Sequence, residues 1–161
     1  MTAKVIVKKD NTEAIFKSVR DLVSKQVLIG IPGGNDHREG DTAGNALVGY
    51  VQEHGSPAQN IDARSFLRPG VKKAEEKITK HLKAAAKEAL KGHFQNVEKS
   101  FHSVGAEAVK SVKNELTNGD HKALSDKTIA ARKRRGRTGI RPLVDTEKLR
   151  LSIKYVIRDK K

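Results

Sequence analysis

Residues 94–116, FQNVEKSFHSVGAEAVKSVKNEL, set Phe94, Val97, Phe101, Val104, Ala108, Val112 and Leu116 at steps of three and four. An α-helix turns once every 3.6 residues, so these side chains share one stripe, close to a coiled-coil seam. Lys, Glu, Asn and Ser fill the rest of the surface, as on a helix with one face against a core. Upstream, residues 71–90 repeat the pattern with Val71, Ile78, Leu82, Ala85 and Ala89 facing inward. Gly92 lies between the two stretches and is a natural break, which predicts an antiparallel helical hairpin. A single long helix tolerating that glycine, at a cost of about 1 kcal/mol, is the alternative.

Working outward, residues 4–8 alternate around Val5 and Val7, and residues 26–31 (QVLIGI) are apolar and β-branched. Both are expected as strands, the second stopped by Pro32-Gly33-Gly34. Between them Ile15, Phe16, Val19, Leu22 and Val23 make one helical face, with Asn11 or Thr12 as its cap. Residues 32–44, PGGNDHREGDTAG, are polar, carry four glycines and lack periodicity. A loop that is mobile until a partner arrives is expected there. Residues 45–53 predict a short helix with Ala46, Leu47, Tyr50 and Val51 on one side, ended by Gly55. Pro69 stands where the next helix starts. Past Asn118-Gly119-Asp120, Ser125 caps a basic helix over 126–134, and Gly136 and Gly139 open a loop. Asp145-Thr146 caps a helical turn at 147–151, and residues 152–157 (SIKYVI) form a last strand. The expected fold is α+β, in one domain over 1–161. A small, mostly antiparallel sheet from 4–8, 26–31 and 152–157 packs on two long central helices, followed by a basic C-terminal helix-loop-strand.

Charge is the loudest feature of the composition, at +14 from 33 Lys or Arg against 19 Asp or Glu. Residues 122–161 hold +10 of it, an asymmetry that points to polyanion or to an acidic protein surface. Only 4% of residues are aromatic and 32% are charged, so the core is lean and gains from partner surfaces. With no cysteine there is no disulfide framework and no thiolate metal site, which fits a reducing cytoplasm. No run approaches the ~18 apolar residues of a membrane span, and no signal peptide is expected.

No catalytic constellation emerges: GxSxG, a glycine loop ending in GK[ST], and HExxH are all absent. Asp36, His37, Glu39 and Asp41 cluster in the long loop, but such loops are usually solvated, so neither a metal nor a cofactor is expected. His93 and His102 are expected half-buried beside the helix seam. Arg64 next to Phe66 suggests either a buried ion pair or an interface anchor. The strongest local signal is residues 131–141, ARKRRGRTGIR. Arg132, Lys133, Arg134, Arg135, Arg137 and Arg141 are solvent-facing candidates for contact with DNA or a protein partner. No aromatic side chain interleaves them and no base-reading motif accompanies them, so contact with nucleic acid is expected at backbone phosphates alone. A non-sequence-specific nucleic-acid-binding protein is the alternative function, and a small nuclease using the acidic loop is a weaker one.

Three segments, VGYVQEHGSP (48–57), NIDARSFLRPGV (60–71) and LSDKTIAARKRRGRTGIRPLVDTEKLRLSIKYVI (124–157), resemble a known family. They are similar, in this order, to the neck and tail-completion proteins of long-tailed bacteriophages, the virion morphogenesis and minor tail group. Asp62 and Ser65 stand where that pattern tends to have Pro, and Glu147 where it usually has Gly. The turn at Glu147 is therefore expected to avoid a glycine-only conformation. The resemblance implies a non-enzymatic ring subunit at the head–tail junction. It would bind a connector or stopper protein on one side and a tail terminator or tube protein on the other. Double-stranded DNA would pass nearby, and the protein would reside in the virion neck after assembly in the host cytoplasm.

Overall fold

The computed structural model describes residues 10–33, 44–144 and 147–160. The expected strand at 4–8, the loop cluster of Asp36, His37, Glu39 and Asp41, and the Asp145-Thr146 cap lie outside the described residues. The elements in chain order are α1 (Thr12–Ser24), β1 (Lys25–Gly30), α2 (Asn45–His54), a 3₁₀ turn (Pro57–Gln59), α3 (Leu67–Lys73), α4 (Glu75–Ala89), α5 (Phe94–Asn118), α6 (Asp126–Arg134), α7 (Lys148–Ser152) and β2 (Lys154–Asp159).

The central pair is a hairpin, as the 94–116 stripe predicts. Val97, Phe101, Val104, Ala108, Val112 and Leu116 are all buried on α5, and Ala85 and Ala89 of α4 pack with Val97 and Phe101. Gly92 makes the reversal at φ +77°, a left-handed conformation that costs glycine little. The stretch expected as one helix over 71–90 divides at the buried Ala74, and Leu82 is 40% exposed rather than inward. The division lets α3 approach α5 closely. A Cβ on Gly70 would sit 2.6 Å from the Val112 Cα, so no larger residue fits there without displacing backbone.

β1 and β2 pair antiparallel, Lys25 with Asp159 through Gly30 with Lys154. Val27 and Ile157 join the Phe101 cluster, whereas Ile29 packs against Phe66, Val112, Leu116, Leu149 and Ile153. Strand alternation turns the cross-strand pair Leu28 and Val156 outward, where both are exposed. Gly105 on α5 makes room for Tyr155, whose ring would lie 2.3 Å from a Cβ at that position.

Several expected faces are rearranged. Of the five apolar residues expected inward on α1, Ile15, Val19 and Leu22 are half-buried, while Phe16 and Val23 are exposed at 67% and 58%. The first turn is bound by the Asp10 carboxylate, which accepts from the Thr12 N–H at 2.9 Å, in place of a side chain at Asn11 or Thr12. His93 and His102 are exposed rather than half-buried: His93 contacts Glu88 at 2.8 Å and His102 the Tyr155 hydroxyl at 3.0 Å. Ser125 caps α6 as expected, its hydroxyl accepting from the Thr128 N–H.

Candidate functional site

The buried side of α2 is Asn45, Gly49 and Glu53, the reverse of the expected apolar face, and Leu47 and Tyr50 look outward. Gly49 faces inward because Ile31 and Leu149 occupy the space a side chain would need. One turn further on, the Glu53 carboxylate reaches the start of α3. Its Oε2 accepts from the N–H groups of Phe66 and Leu67, both at 2.8 Å. Its Oε1 accepts from the Arg68 N–H at 3.1 Å and the Ser65 hydroxyl at 2.7 Å. Pro69, next in line, has no N–H to satisfy. A helix start normally leaves four N–H groups without helical partners, and here a single remote carboxylate takes three of them. Burial alone pushes the Glu53 carboxyl up, but the Ser65 hydroxyl and the three N–H groups outweigh it, so its pKa is lowered.

Arg64 makes no ion pair with a described residue. Its Nε donates to the Lys122 carbonyl at 2.8 Å and its Nη2 to the Ala123 carbonyl at 3.1 Å, tying the segment before α6 to the loop before α3. Beside this clamp, Lys122 Nζ lies 2.8 Å from Asp62 Oδ1, and that bond holds the Asp62 carboxyl below its ordinary range. Phe66 is 2% exposed at the centre of the core, packed with Val112, Leu116, Leu149 and Ile153, so its side chain is not on the surface of this chain. Ser65 and Asp62, the departures from the Pro-containing pattern, are thus both engaged: one completes the Glu53 hub and the other pairs with Lys122.

The basic run is divided in the same way. Arg132 turns inward, its Nη1 donating to the carbonyls of Gly139 and Arg141 at 2.9 Å and of Val144 at 3.3 Å. Arg137 is half-buried, and its backbone N–H donates back to the Arg132 carbonyl. Neither is the solvent-facing cation expected from the sequence. A helix followed by a glycine-rich loop leaves bare carbonyls, and a guanidinium in reach satisfies several at once. Lys133, Arg134, Arg135 and Arg141 are exposed. Between α6 and the Arg64 clamp lies a cleft of 830 Å³, with Arg64, Arg132, Arg135, Arg137 and Lys148 among its lining residues.

Glu147 adopts φ +55°, so the turn before α7 keeps the left-handed conformation despite the missing glycine. Among the described residues no three His, Asp or Glu side chains come together as a metal site. Nor is any helix of the described residues long and apolar enough to cross a membrane. The exposed surface instead carries large apolar side chains: Leu47 at 57%, Tyr50 at 62%, Ile140 at 65% and Leu151 at 62%. The Tyr50 ring stacks on His54 with 4.5 Å between centroids, which holds it flat on the outside of α2.

The residue that sequence reasoning missed is Glu53. Capping motifs act over three residues, whereas this carboxylate acts over more than a dozen, so no local spacing reveals it. The available signal is indirect: Phe66-Leu67-Arg68-Pro69 begins a helix with no Ser, Thr, Asp or Asn at the capping position itself. Such a start calls for a donor-accepting group from elsewhere. No protein-family model, curated protein or solved structure matches this chain.

Proposed function

We propose that the chain is a non-catalytic assembly subunit of a tailed-phage virion, completing the neck or tail and joining the tail to the head connector. The observation that carries the reading is the convergence of the three segments on one locus. Glu53 from the first holds the helix start of the second, Arg64 of the second clamps Lys122 and Ala123 at the edge of the third, and Leu149 of the third packs on Gly49 of the first. The Glu53 carboxylate and the Arg64 guanidinium, the polar side chains shared with the pattern, both have structural partners, which suits a scaffold. Outward-facing Leu47, Tyr50, Ile140 and Leu151 supply apolar surface for neighbours. Those neighbours are further copies in a ring, a connector or stopper protein, and a tail terminator or tube protein.

The test is deletion of the coding sequence in its phage, with particles imaged by electron microscopy. Filled heads and finished tails should accumulate unjoined, and the wild-type chain supplied in trans should rejoin them. A Leu47→Asp, Tyr50→Asp variant should fold normally and fail to rejoin them. Normal yields of joined, infectious particles without the protein overturn the proposal.

A further inference from the structure

Between Lys127 and Val144 the chain holds seven Lys or Arg and no Asp or Glu. Two of the seven, Arg132 and Arg137, are drawn into the fold. Arg132 binds three carbonyls of the loop after α6 and so folds that loop back along the helix. The fold-back returns Arg141 toward α6 instead of letting it trail away. The remaining five, Lys127, Lys133, Arg134, Arg135 and Arg141, are exposed, and none makes an ion pair with a described residue. Lys127 and Arg134 are two turns apart and stand one above the other on α6, with the small exposed Ala130 between them.

We propose that this plate, Lys127, Lys133, Arg134, Arg135 and Arg141, binds the phosphate backbone of double-stranded nucleic acid without reading its sequence, and that Arg132 is its positioning residue. Charge and dimensions agree. A nine-residue helix is about 13 Å long, a length that faces about four phosphates of one strand. Phe, Tyr and Trp are absent from the whole stretch between Phe101 and Tyr155, so a single strand would find none of their rings to stack on. A protein interface uses Arg anchors too, but sets them among buried aromatic or apolar ones, and beside these arginines the surface offers only Ile140. Arginine forks suit phosphate oxygens, and Ala130 lets a backbone come close. The inference stands apart from the assembly reading, because a subunit with this plate binds duplex whatever particle it joins.

The test uses the purified chain and fluorescence anisotropy with two duplexes of unrelated sequence, between about 50 and 200 mM salt. Both duplexes should bind alike, with affinity falling steeply as salt rises. Changing all five plate residues to Gln should flatten the plot of log affinity against log salt by about 4 units, near 0.9 per lost phosphate contact. Arg132→Gln keeps all five charges and should lose about one unit, the share of a displaced Arg141, with its circular dichroism unchanged. A charge-matched control, with Lys72, Lys80, Lys83, Lys87 and Lys99 changed to Gln, should keep the wild-type slope. A wild-type slope in the plate variant, or an equal loss in the control, overturns the proposal. Tighter direct binding to poly-glutamate than to duplex overturns it in favour of an acidic protein partner. Neither outcome touches the imaging test of head–tail joining, so the two ideas fail separately.

Discussion

Glu53→Gln is the sharpest probe of the fold, because it keeps the size of the side chain and removes one acceptor and the charge. In its better orientation the Gln oxygen faces the Phe66 and Leu67 N–H groups, and the Ser65 hydroxyl turns to accept from the amide. The Arg68 N–H is then stranded, at about 1–3 kcal/mol, and two charge-assisted bonds become neutral ones at a loss of about 1 kcal/mol each. The expected destabilisation is about 3–5 kcal/mol, a large part of the roughly 5–15 kcal/mol that holds a domain of this kind together. In urea, with a slope of about 2 kcal/mol per molar, the midpoint followed by circular dichroism should drop by about 1.5–2.5 M. The pH dependence separates charge from shape. Because the folded pKa of Glu53 is depressed, the stability it lends is complete above its unfolded value, near 4.5, and is lost as pH falls through the folded pKa. Protonated Glu resembles Gln, so the gap between wild type and variant should close in acid. A gap under about 0.5 kcal/mol at neutral pH would refute the hub, that being the spread of surface substitutions that remove nothing. A gap that persists unchanged in acid would refute the role of its charge.

Three further outcomes are expected. Phe101→Ala should cost about 3–5 kcal/mol in chemical unfolding, because the ring is 4% exposed between α4 and the sheet. Glu147→Gly should stabilise the protein by about 0.5–1 kcal/mol in the same assay, since a left-handed non-glycine residue carries more strain than glycine's extra chain entropy offsets; a loss of stability would show that the Glu147 side chain does more than tolerate its backbone. At the hairpin turn, Lys91, Asn96 and His93 bonds hold the Glu88 carboxyl at about 2, so a carbon NMR titration should find it charged until strong acid. Any stability this cluster lends is therefore complete above its unfolded value, near 4.5, and is lost progressively as pH falls from there through about 2.

The α4–α5 hairpin was legible because a long helix repeats its inward step many times, and seven apolar residues at one spacing leave little choice of face. Ser125 was legible because its cap acts within three residues. Short elements gave no such redundancy. On α2 the apolar side chains Leu47 and Tyr50 outvote Gly49 and Glu53 in any hydrophobic count, yet the inward face was chosen by two tertiary demands. The crowding of Ile31 and Leu149 against Gly49 needs a residue without a side chain, and α3 needs a carboxylate. Both demands come from residues distant in sequence. The basic run shows the same limit: charge count marks the segment, but which guanidinium turns inward depends on where the carbonyls of the following loop fall. Arg132 and Arg135 are indistinguishable by composition and opposite in role.

The pairing of β1 with β2 has a kinetic consequence. During synthesis β1 leaves the ribosome long before its only described strand partner, and a lone strand holds no stable shape in water. The α4–α5 hairpin closes over a short connection and can form early, since nearby contacts cost little chain entropy. β1 must then wait, with Val27 and Ile29 lacking their cross-strand neighbours, until Tyr155 and Ile157 arrive to cross the α5 surface beside them. β2 is thus a closing seam, and a nascent chain stalled before it would be a sticky helical hairpin in place of a finished fold.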